Sequence, residues 1–226
     1  DAMRPRRPIQ RRRHLGGRDP VDVQHLCRGQ PPALAQLQPE ESSSIEAGID
    51  YSFPDRALKT GITLYHSRIK DLIQVVYDPL FNSTSDNIAR ADIDGAELYL
   101  QYRPLHNVGL TLDYSYTDAR DSATGERLPR RPGQKATLML DYQATRKLGF
   151  WMELQYYGDR VDISPASFGN APLDDYTLVN TGFSYEISRD IRLFGKVRNL
   201  ADTSYEPVAG YRGEGINGIV GLTIRL

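Results

Sequence analysis

The sequence predicts an all-β fold built from long antiparallel strands, and three features of its 226 residues support this prediction. From about residue 43 onward, apolar and polar residues alternate with a period of two, as in strands whose two faces meet different surroundings. Most of the predicted strands exceed the roughly 5–6 residues that are usual in soluble sheets. The connections between them alternate between tight turns and long polar loops.

The composition excludes several other classes of protein. Hydrophobic residues make up 39% and the mean hydropathy is −0.51, and no stretch approaches the roughly 18 apolar residues of a membrane-spanning helix. Membrane-barrel strands remain compatible with such values, because half of their residues face water. The single Cys27 excludes an internal disulfide and a cysteine metal cluster, and the four histidines show no ligand spacing. We therefore predict no metal site and no cofactor.

The first 36 residues differ from the rest of the chain, and we predict no fold for them. Residues 1–30 hold eight Arg and no Lys or Glu against three Asp, a net charge of +5. An arginine-rich arm of this kind can bind nucleic acid, lipid headgroups or a protein partner. It lacks interleaved aromatic residues and a regular period, which favours a disordered tail, and we predict no nucleic-acid partner.

A third interpretation of this segment is a shifted reading frame. Around "VQHLCRGQPP" the permitted codons, shifted by one base, allow (Ile or Thr)-Tyr-Val-Glu-Gly-Asn-Pro, a plausible strand-and-turn sequence. The codons of Pro31 and Pro32 offer a cytosine run in which one base is easily gained or lost. We hypothesise that roughly residues 1–30 are translated out of frame.

Nine strands are predicted after this segment, and each presents one apolar and one polar face. In the fifth of them, Ala136, Leu138, Leu140 and Tyr142 alternate with Lys135, Thr137, Met139 and Asp141. The predicted strands lie near residues 44–53, 58–76, 87–103, 108–118, 134–144, 148–160, 176–187, 191–204 and 217–226.

The lengths of the connections favour a transmembrane barrel over a soluble fold. Tight turns at 54–57, 104–107, 145–147 and 188–190 alternate with long polar loops at about 77–86, 119–133, 161–175 and 205–216. Outer-membrane barrels have short periplasmic turns and longer outer loops, and their strands need about 9–11 residues. A soluble sandwich or a lipocalin-like barrel has no reason to keep this alternation. The sequence thus predicts the outer membrane of a Gram-negative cell, with the tight turns on the periplasmic side.

The final strand, "NGIVGLTIRL", carries the clearest facial pattern. Val220, Leu222, Ile224 and Leu226 fall on one face, which we expect to meet lipid. Gly221, Thr223 and Arg225 fall on the other face, which we expect to meet a wet interior.

Three motifs resemble the C-terminal end of the barrel of a TonB-dependent outer-membrane receptor, over about residues 37–226. They are "LQPEESSSIEAGIDY" at 37–51, "RRPGQKATLMLDY" at 130–142 and "KVRNLADTSYEPVAGY" at 196–211. The family's patterns are carried here by Pro39, Glu40, Ser42, Glu46 and Gly48; by Arg131, Pro132, Leu138, Leu140 and Tyr142; and by Val197, Asn199, Leu200, Asp202, Tyr205, Glu206, Gly210 and Tyr211. Three motifs in the correct order and spacing are a specific signal.

The resemblance implies a 22-stranded barrel, closed by an N-terminal plug and powered through the TonB complex. Such receptors take up a metal chelate, here a siderophore, haem or cobalamin. Nine strands are fewer than half of that barrel, and the plug, the TonB box and the signal peptide are not in the sequence. An open sheet leaves two unpaired edges in hydrocarbon, so we expect this chain not to transport anything alone.

The family also implies partners for the barrel surface. They are outer-membrane lipid, lipopolysaccharide and the barrel-assembly machinery, which recognises a C-terminal aromatic residue. Leu226 stands at that position, and Ile216 replaces a basic residue that the family carries after the glycine equivalent to Gly215. We expect Val220, Leu222, Ile224 and Leu226 to form the strand that the machinery recognises.

Candidate ligand-binding residues lie in the predicted outer loops. Basic and aromatic side chains there could meet an anionic chelate, and they are Arg127, Arg130, Arg131, Tyr205, Tyr211 and Arg212. The alternative is that they are solvated or bind lipopolysaccharide phosphates. The acidic residues of the loops show no EF-hand spacing, so no calcium site is predicted. Charged residues on the inner face, such as Arg192, Lys196 and Glu153, are expected to pair across strands or with the plug.

Two other functions are less consistent with the sequence. An outer-membrane enzyme needs a nucleophile and a histidine together at the outer rim, and His66 and His106 are not placed with one, so we predict no catalytic residues. A passive porin or adhesion barrel would share the strand pattern, but the motif at 196–211 speaks against it.

Overall fold

The computed structural model describes residues 37–53, 57–77 and 83–225, and its regular secondary structure there consists of β-strands. The eleven strands are β1 (Glu41–Phe53), β2 (Leu58–Tyr77), β3 (Ser83–Leu105), β4 (Val108–Asp121), β5 (Gln134–Gln143), β6 (Leu148–Gly158), β7 (Arg160–Ile163), β8 (Asn170–Leu173), β9 (Tyr176–Glu186), β10 (Ile191–Arg198) and β11 (Asn217–Ile224). Within these residues no helix has the length and apolar character needed to span a bilayer. The predictions for residues 1–36 and for Leu226 fall outside the described residues.

Nine of the strands form one sheet in the order β1-β2-β3-β4-β5-β6-β9-β10-β11. The pairings from β4 through β11 are antiparallel, so strands that follow one another in the sequence are mostly neighbours in the sheet. β7 and β8 pair separately as a short antiparallel hairpin between β6 and β9. The meander of long strands confirms the predicted all-β, antiparallel architecture.

The chain divides into two compact units, of which the first comprises residues 37–48, 64–95 and 118–128 among those described. Its interior is a small cluster of Leu72, Ala91, Ala119 and Leu128, against which two partly buried isoleucines pack. Neighbouring strands are joined by polar side chains as well, since Asp92 accepts hydrogen bonds from Arg68 Nε at 2.8 Å and from Ser122 Oγ at 2.6 Å.

The second unit comprises residues 49–63, 96–117 and 129–225, and the register of its strands separates two faces. On one face Leu138 lies opposite Leu154, which lies opposite Val179 on the next strand. On the other face Met139 lies opposite Glu153, which lies opposite Asn180. We call these the apolar face and the polar face. Each strand contributes alternate residues to both, as the sequence predicts.

The apolar face of the second unit carries many exposed hydrophobic side chains among the residues that the structure describes. Ile49, Val220 and Leu222 expose 66%, 73% and 59% of their surface. The hydrophobic residues that are fully enclosed in the described part of the chain are few and mostly small: Leu72, Ala91, Ala119, Leu128 and Ala209. A soluble sandwich would bury such a face against a second sheet, whereas here the side chains of this face are exposed among the described residues.

Aromatic residues mark both ends of the apolar face. Phe150 lies near the tight turns, opposite the exposed Tyr142 of β5, and Tyr156 lies near the long loops of the same strand. Six residue steps along the strand separate Phe150 from Tyr156, which corresponds to about 20 Å. With the tilt of about 35–45° that is usual for membrane strands, this is about 15 Å along the membrane normal, so the two rings fall within the height of an apolar band of about 25 Å and its aromatic girdles.

The structure corrects the predicted bounds at the long-loop end. The strand predicted over 191–204 ends at Arg198, because Asn199 and Asp202 adopt positive φ values of 47° and 50° and turn the chain. The loop predicted over 161–175 contains the hairpin β7–β8. β4 continues to Asp121, so the loop that follows it is shorter than predicted.

Candidate functional site

The long-loop end of the second unit holds a ladder of three tyrosine rings contributed by three separate segments. Tyr157 is the penultimate residue of β6, Tyr176 begins β9, and Tyr205 lies in the last long loop, which we define as residues 199–216. The rings of Tyr157 and Tyr176 are stacked at 5.0 Å between centroids, and those of Tyr176 and Tyr205 are 4.6 Å apart. Such pairs stabilise beyond the area that they bury.

Two cationic side chains and a glycine lie next to the three tyrosine rings. Lys135 Nζ lies 5.5 Å from the centroid of the Tyr157 ring, and the guanidinium of Arg160 lies 4.6 Å from that of Tyr176. Gly213 packs directly against the ring of Tyr205, where a Cβ atom would overlap it. The last loop therefore folds back onto its own tyrosine, and this contact requires a glycine.

Arg160 links the ladder to the backbone around it. Its Nη1 donates to the carbonyl of Asp174 at 2.9 Å, and its Nη2 donates to the carbonyls of Glu206 and Pro207 at 2.6 and 3.0 Å. The residue is only 7% exposed. Carbonyl acceptors and an aromatic face thus compensate a buried charge at the junction of the hairpin and the last loop.

Asp162, two residues further along β7, is 1% exposed and also bonds the last loop to the hairpin. Its Oδ1 accepts from Arg130 Nε at 2.9 Å and from the Ile163 N–H at 2.8 Å, and its Oδ2 accepts from the Ala209 N–H at 2.9 Å. Burial raises the pKa of this carboxyl, but the hydrogen bonds from Ala209, Ile163 and Arg130 together outweigh it, and the pKa lies below its ordinary value. The side chain is therefore an anion at neutral pH.

Asn199 fixes the base of the last loop. Its Nδ2 donates to the carbonyls of Thr203 and Glu214 at 2.9 and 3.1 Å, and its Oδ1 accepts from the Thr203 N–H at 2.9 Å. Its own N–H donates to Asn180 Oδ1, and Asn180 donates in turn to Glu153 on the polar face. A chain of hydrogen bonds thus runs from the polar face into the last loop, and this role accounts for the asparagine in the motif at 196–211.

The predicted ligand-binding residues do not all lie together in the structure. Arg130 and Tyr205 belong to the cluster around the tyrosine ladder. Arg131 is partly buried, while Tyr211 and Arg212 are exposed, Tyr211 by 69%. Arg127 belongs to the first unit, where its Nε lies 3.9 Å from Asp118. Their role in ligand binding stays a prediction.

Tyr157, Tyr176, Arg160 and Asp162 are the cluster residues that sequence reasoning missed. Tyr157 and Tyr176 stand at the loop ends of predicted strands, so an aromatic residue at adjacent strand ends was the available signal. Arg160 and Asp162 gave no such signal, since charged residues in a polar segment are ordinarily solvated.

The C-terminal strand shows the facial pattern predicted for it. Val220, Leu222 and Ile224 expose 73%, 59% and 61% of their surface on the apolar face. Their recognition by an assembly machinery stays a prediction.

Chemically, the cluster offers fixed phenol rings, ordered carbonyls and an ion pair between the exposed Arg130 and the buried Asp162. Across the described ranges, no group of three or more His, Cys, Asp or Glu side chains is arranged to hold a metal ion. The cluster is suited to shaping a rim that contacts a large ligand by its surface.

Comparisons with known proteins agree with this architecture. A family model described as TonB dependent receptor-like, beta-barrel, matches residues 16–200. The vitamin B12 transporter BtuB of Vibrio vulnificus (strain YJ016) is 30% identical over 190 residues, which are 80% of this chain and 29% of the transporter.

Solved structures share the fold at lower identity. The copper transporter OprC aligns with a TM-score of 0.71 at 19% identity, over 87% of this chain and 33% of that one. The ferric enterobactin receptor PfeA of Pseudomonas aeruginosa aligns with a TM-score of 0.66 at 21% identity, over 83% of this chain and 31% of that one. The chain spans about a third of the length of these relatives.

Proposed function

The chain belongs to the TonB-dependent receptor family, and we propose that it forms part of the barrel wall of an outer-membrane receptor for active uptake of a metal chelate. The ligand class is a siderophore, haem or cobalamin. On this proposal the receptor acts in the outer membrane of a Gram-negative cell, and the strands of this sheet and the long loops between them supply part of its wall and part of its outer surface.

The exposed apolar face carries the membrane part of the proposal. Leu222 and Val220 expose most of their surface on a face that is bounded by aromatic residues at both ends. Hydrocarbon is the solvent that such a face suits, with tyrosine rings at the headgroup level. The polar face, which includes Glu153 and Asn180, then meets a wet interior or a plug domain.

The remainder of the receptor has to come from chain beyond these strands. The two edges of the nine-stranded sheet, β1 and β11, each need a partner strand in hydrocarbon, because unpaired backbone groups there are costly. Coupling to the TonB complex requires a plug domain, and insertion requires the barrel-assembly machinery, for which β11 is the proposed signal. On this proposal the chain alone does not transport.

The tyrosine ladder supports a large, partly aromatic or anionic ligand. Its rings are held in place by packing and by Arg160, so little ordering entropy is lost when a ligand contacts them. The exposed Tyr211 and Arg212 on the same loop are available to the ligand or to lipopolysaccharide phosphates. Because the vitamin B12 transporter is 30% identical over 190 residues, we take cobalamin as the first ligand to test.

Uptake in cells tests the proposal. The gene that contains this chain is expressed in cells deleted for their own cobalamin and siderophore receptors, and uptake of labelled cyanocobalamin and ferric enterobactin is measured with and without TonB. We expect saturable uptake of one chelate that is lost without TonB. Uptake that is independent of TonB would support the alternative, a passive porin, and would contradict the proposal.

Sequencing the gene upstream of this chain is a second test of the proposal. An in-frame plug domain and TonB box are expected there. A continuous upstream frame that encodes neither would contradict an active receptor. The same sequencing would also decide whether residues 1–30 are translated out of frame.

A further inference from the structure

Two charged residues on β7 are buried, although β7 is not part of the nine-stranded sheet. Arg160 and Asp162 are 7% and 1% exposed, whereas most of the surrounding loop residues are exposed. They are two positions apart on a strand, so both side chains lie on the same side of the hairpin. Enclosing charges costs free energy unless every polar atom is bonded, which indicates that both serve a specific contact.

The two side chains share their targets. Arg160 donates to the carbonyls of Glu206 and Pro207, and Asp162 accepts from the N–H of Ala209. Three backbone groups within four residues of the last loop are therefore bound by one short strand. Asp162 also accepts from Arg130, so a third segment, following β4, joins the same junction.

The rest of the last loop is held at further points. The Leu200 N–H donates to the Val179 carbonyl at 2.7 Å, and the Gly213 N–H donates to the Tyr205 carbonyl at 2.8 Å. At its far end the Ile216 N–H donates to Asp202 Oδ1 at 2.9 Å. Contacts are thus distributed along the loop, without a long unbonded stretch that could act as a hinge.

We propose that Arg160 and Asp162 are positioning residues that make the last loop a fixed wall of the ligand entrance rather than a lid that closes over the ligand. This inference rests on the proposed uptake function, because it assigns a role within that entrance. The two residues act through the loop backbone and hold Tyr205 against Tyr176. Ligand-induced closure, where it occurs, then belongs to other loops.

The experiment uses the full-length receptor that contains this chain, with Cys27→Ser and Ser204→Cys, and a nitroxide label on the new thiol. Ser204 is exposed on the last loop beside Tyr205 and is not among the predicted ligand-binding residues, so the label reports loop motion without replacing a predicted ligand contact. We expect a spectrum of restricted motion that is the same with and without cyanocobalamin. In the Arg160→Gln and Asp162→Asn variants we expect a mobile component and a cyanocobalamin Kd raised by roughly tenfold.

Two controls separate positioning from folding. Arg146→Gln removes the same charge from an exposed tight turn and is expected to change neither the spectrum nor the Kd. Arg160→Lys keeps the charge, but an ammonium group cannot bond three carbonyls as the planar guanidinium does. We therefore expect its label mobility and its Kd to lie between those of the unchanged receptor and those of Arg160→Gln. The heat-modifiable mobility of the barrel should be unchanged in all variants.

Failure of the fixed-loop inference and failure of the proposed uptake function would give different results. A label that is mobile in the unliganded receptor and immobilised by cyanocobalamin would overturn the inference, as would an unchanged spectrum in folded Arg160→Gln. A receptor that shows no chelate uptake but keeps the restricted spectrum, and loses it in Arg160→Gln, would contradict the proposed function and support the fixed loop.

Discussion

The carboxylate of Asp162 accepts a 2.9 Å hydrogen bond from the backbone N–H of Ala209, 47 positions away in the sequence, and both residues are buried. The bond joins the hairpin β7–β8 to the last loop. Because Asp162 has to be ionised to accept from Ala209, Ile163 and Arg130 together, the position of the loop depends on one protonation equilibrium.

Acid should loosen the last loop through this carboxyl. The folded-state pKa of Asp162 lies below the ordinary value of 3.8, so its contribution to stability is complete above that value and is lost as the pH falls through the folded-state pKa. We expect pepsin cleavage within 199–216 to rise as the pH is lowered from about 4.5 to about 2. The Asp162→Asn variant should be cleaved readily throughout, and an identical pH profile for both proteins would contradict the assignment.

The long strands were predictable from sequence because a two-sided environment imposes a period of two on each of them. Leu138 and Leu154 on one face, with Met139 and Glu153 on the other, show that pattern in both sequence and register. The end of β10 was not predictable, because it depends on the positive φ of Asn199, which a local hydrogen-bond network stabilises.

The candidate site was only partly predictable. The motif at 196–211 identified Tyr205, but its contact with Tyr176 depends on how two loops meet. The burial of Arg160 is likewise a property of the assembled cluster, since its acceptors are backbone carbonyls, which every residue carries. Patterns in side-chain type do not reveal partners of that kind.

Gly213→Ala should displace the last loop. A Cβ atom at this position would overlap the Tyr205 ring, which also packs against Tyr176, so overpacking should cost about 1–3 kcal/mol of local stability. The mobility of the label at position 204 should increase. Gly169→Ala is the matched control in an outer loop, because its nearest neighbour would be Ser167 Oγ at 3.9 Å. Equal effects of the two substitutions would argue against the packing.

Leu154→Arg should impair membrane assembly. Leu154 lies near the middle of the apolar face, between Leu138 and Val179, where a cation costs about 2–4 kcal/mol at the bilayer midplane. The control is Gln155→Arg on the polar face, next to Glu153, where a cation gains an ionic partner. Heat-modifiable mobility of the full-length receptor measures the folded fraction. A smaller folded fraction for Gln155→Arg than for Leu154→Arg would mean that the two faces have been assigned in reverse.

Asn199→Asp should destabilise the last loop at neutral pH more than Asn199→Ala. The amide nitrogen donates to the carbonyls of Thr203 and Glu214 in a site that is 3% exposed. Alanine leaves those carbonyls unbonded, at a cost of about 1–3 kcal/mol, whereas an ionised carboxylate would also place a charge against two carbonyl oxygens.

The pH response gives this substitution a distinct signature. A carboxyl at position 199 should have a raised pKa, because burial and the facing carbonyls disfavour its charged form. Its protonated form regains one donor, so Asn199→Asp should recover as the pH falls from about 7 to about 5, a range in which Asp162 stays ionised. Label mobility at position 204 and the denaturant midpoint, measured at both pH values, test this. An Asn199→Asp protein that is equally stable at both, while Asn199→Ala is destabilised, would show that the asparagine serves through its shape rather than through its two donors.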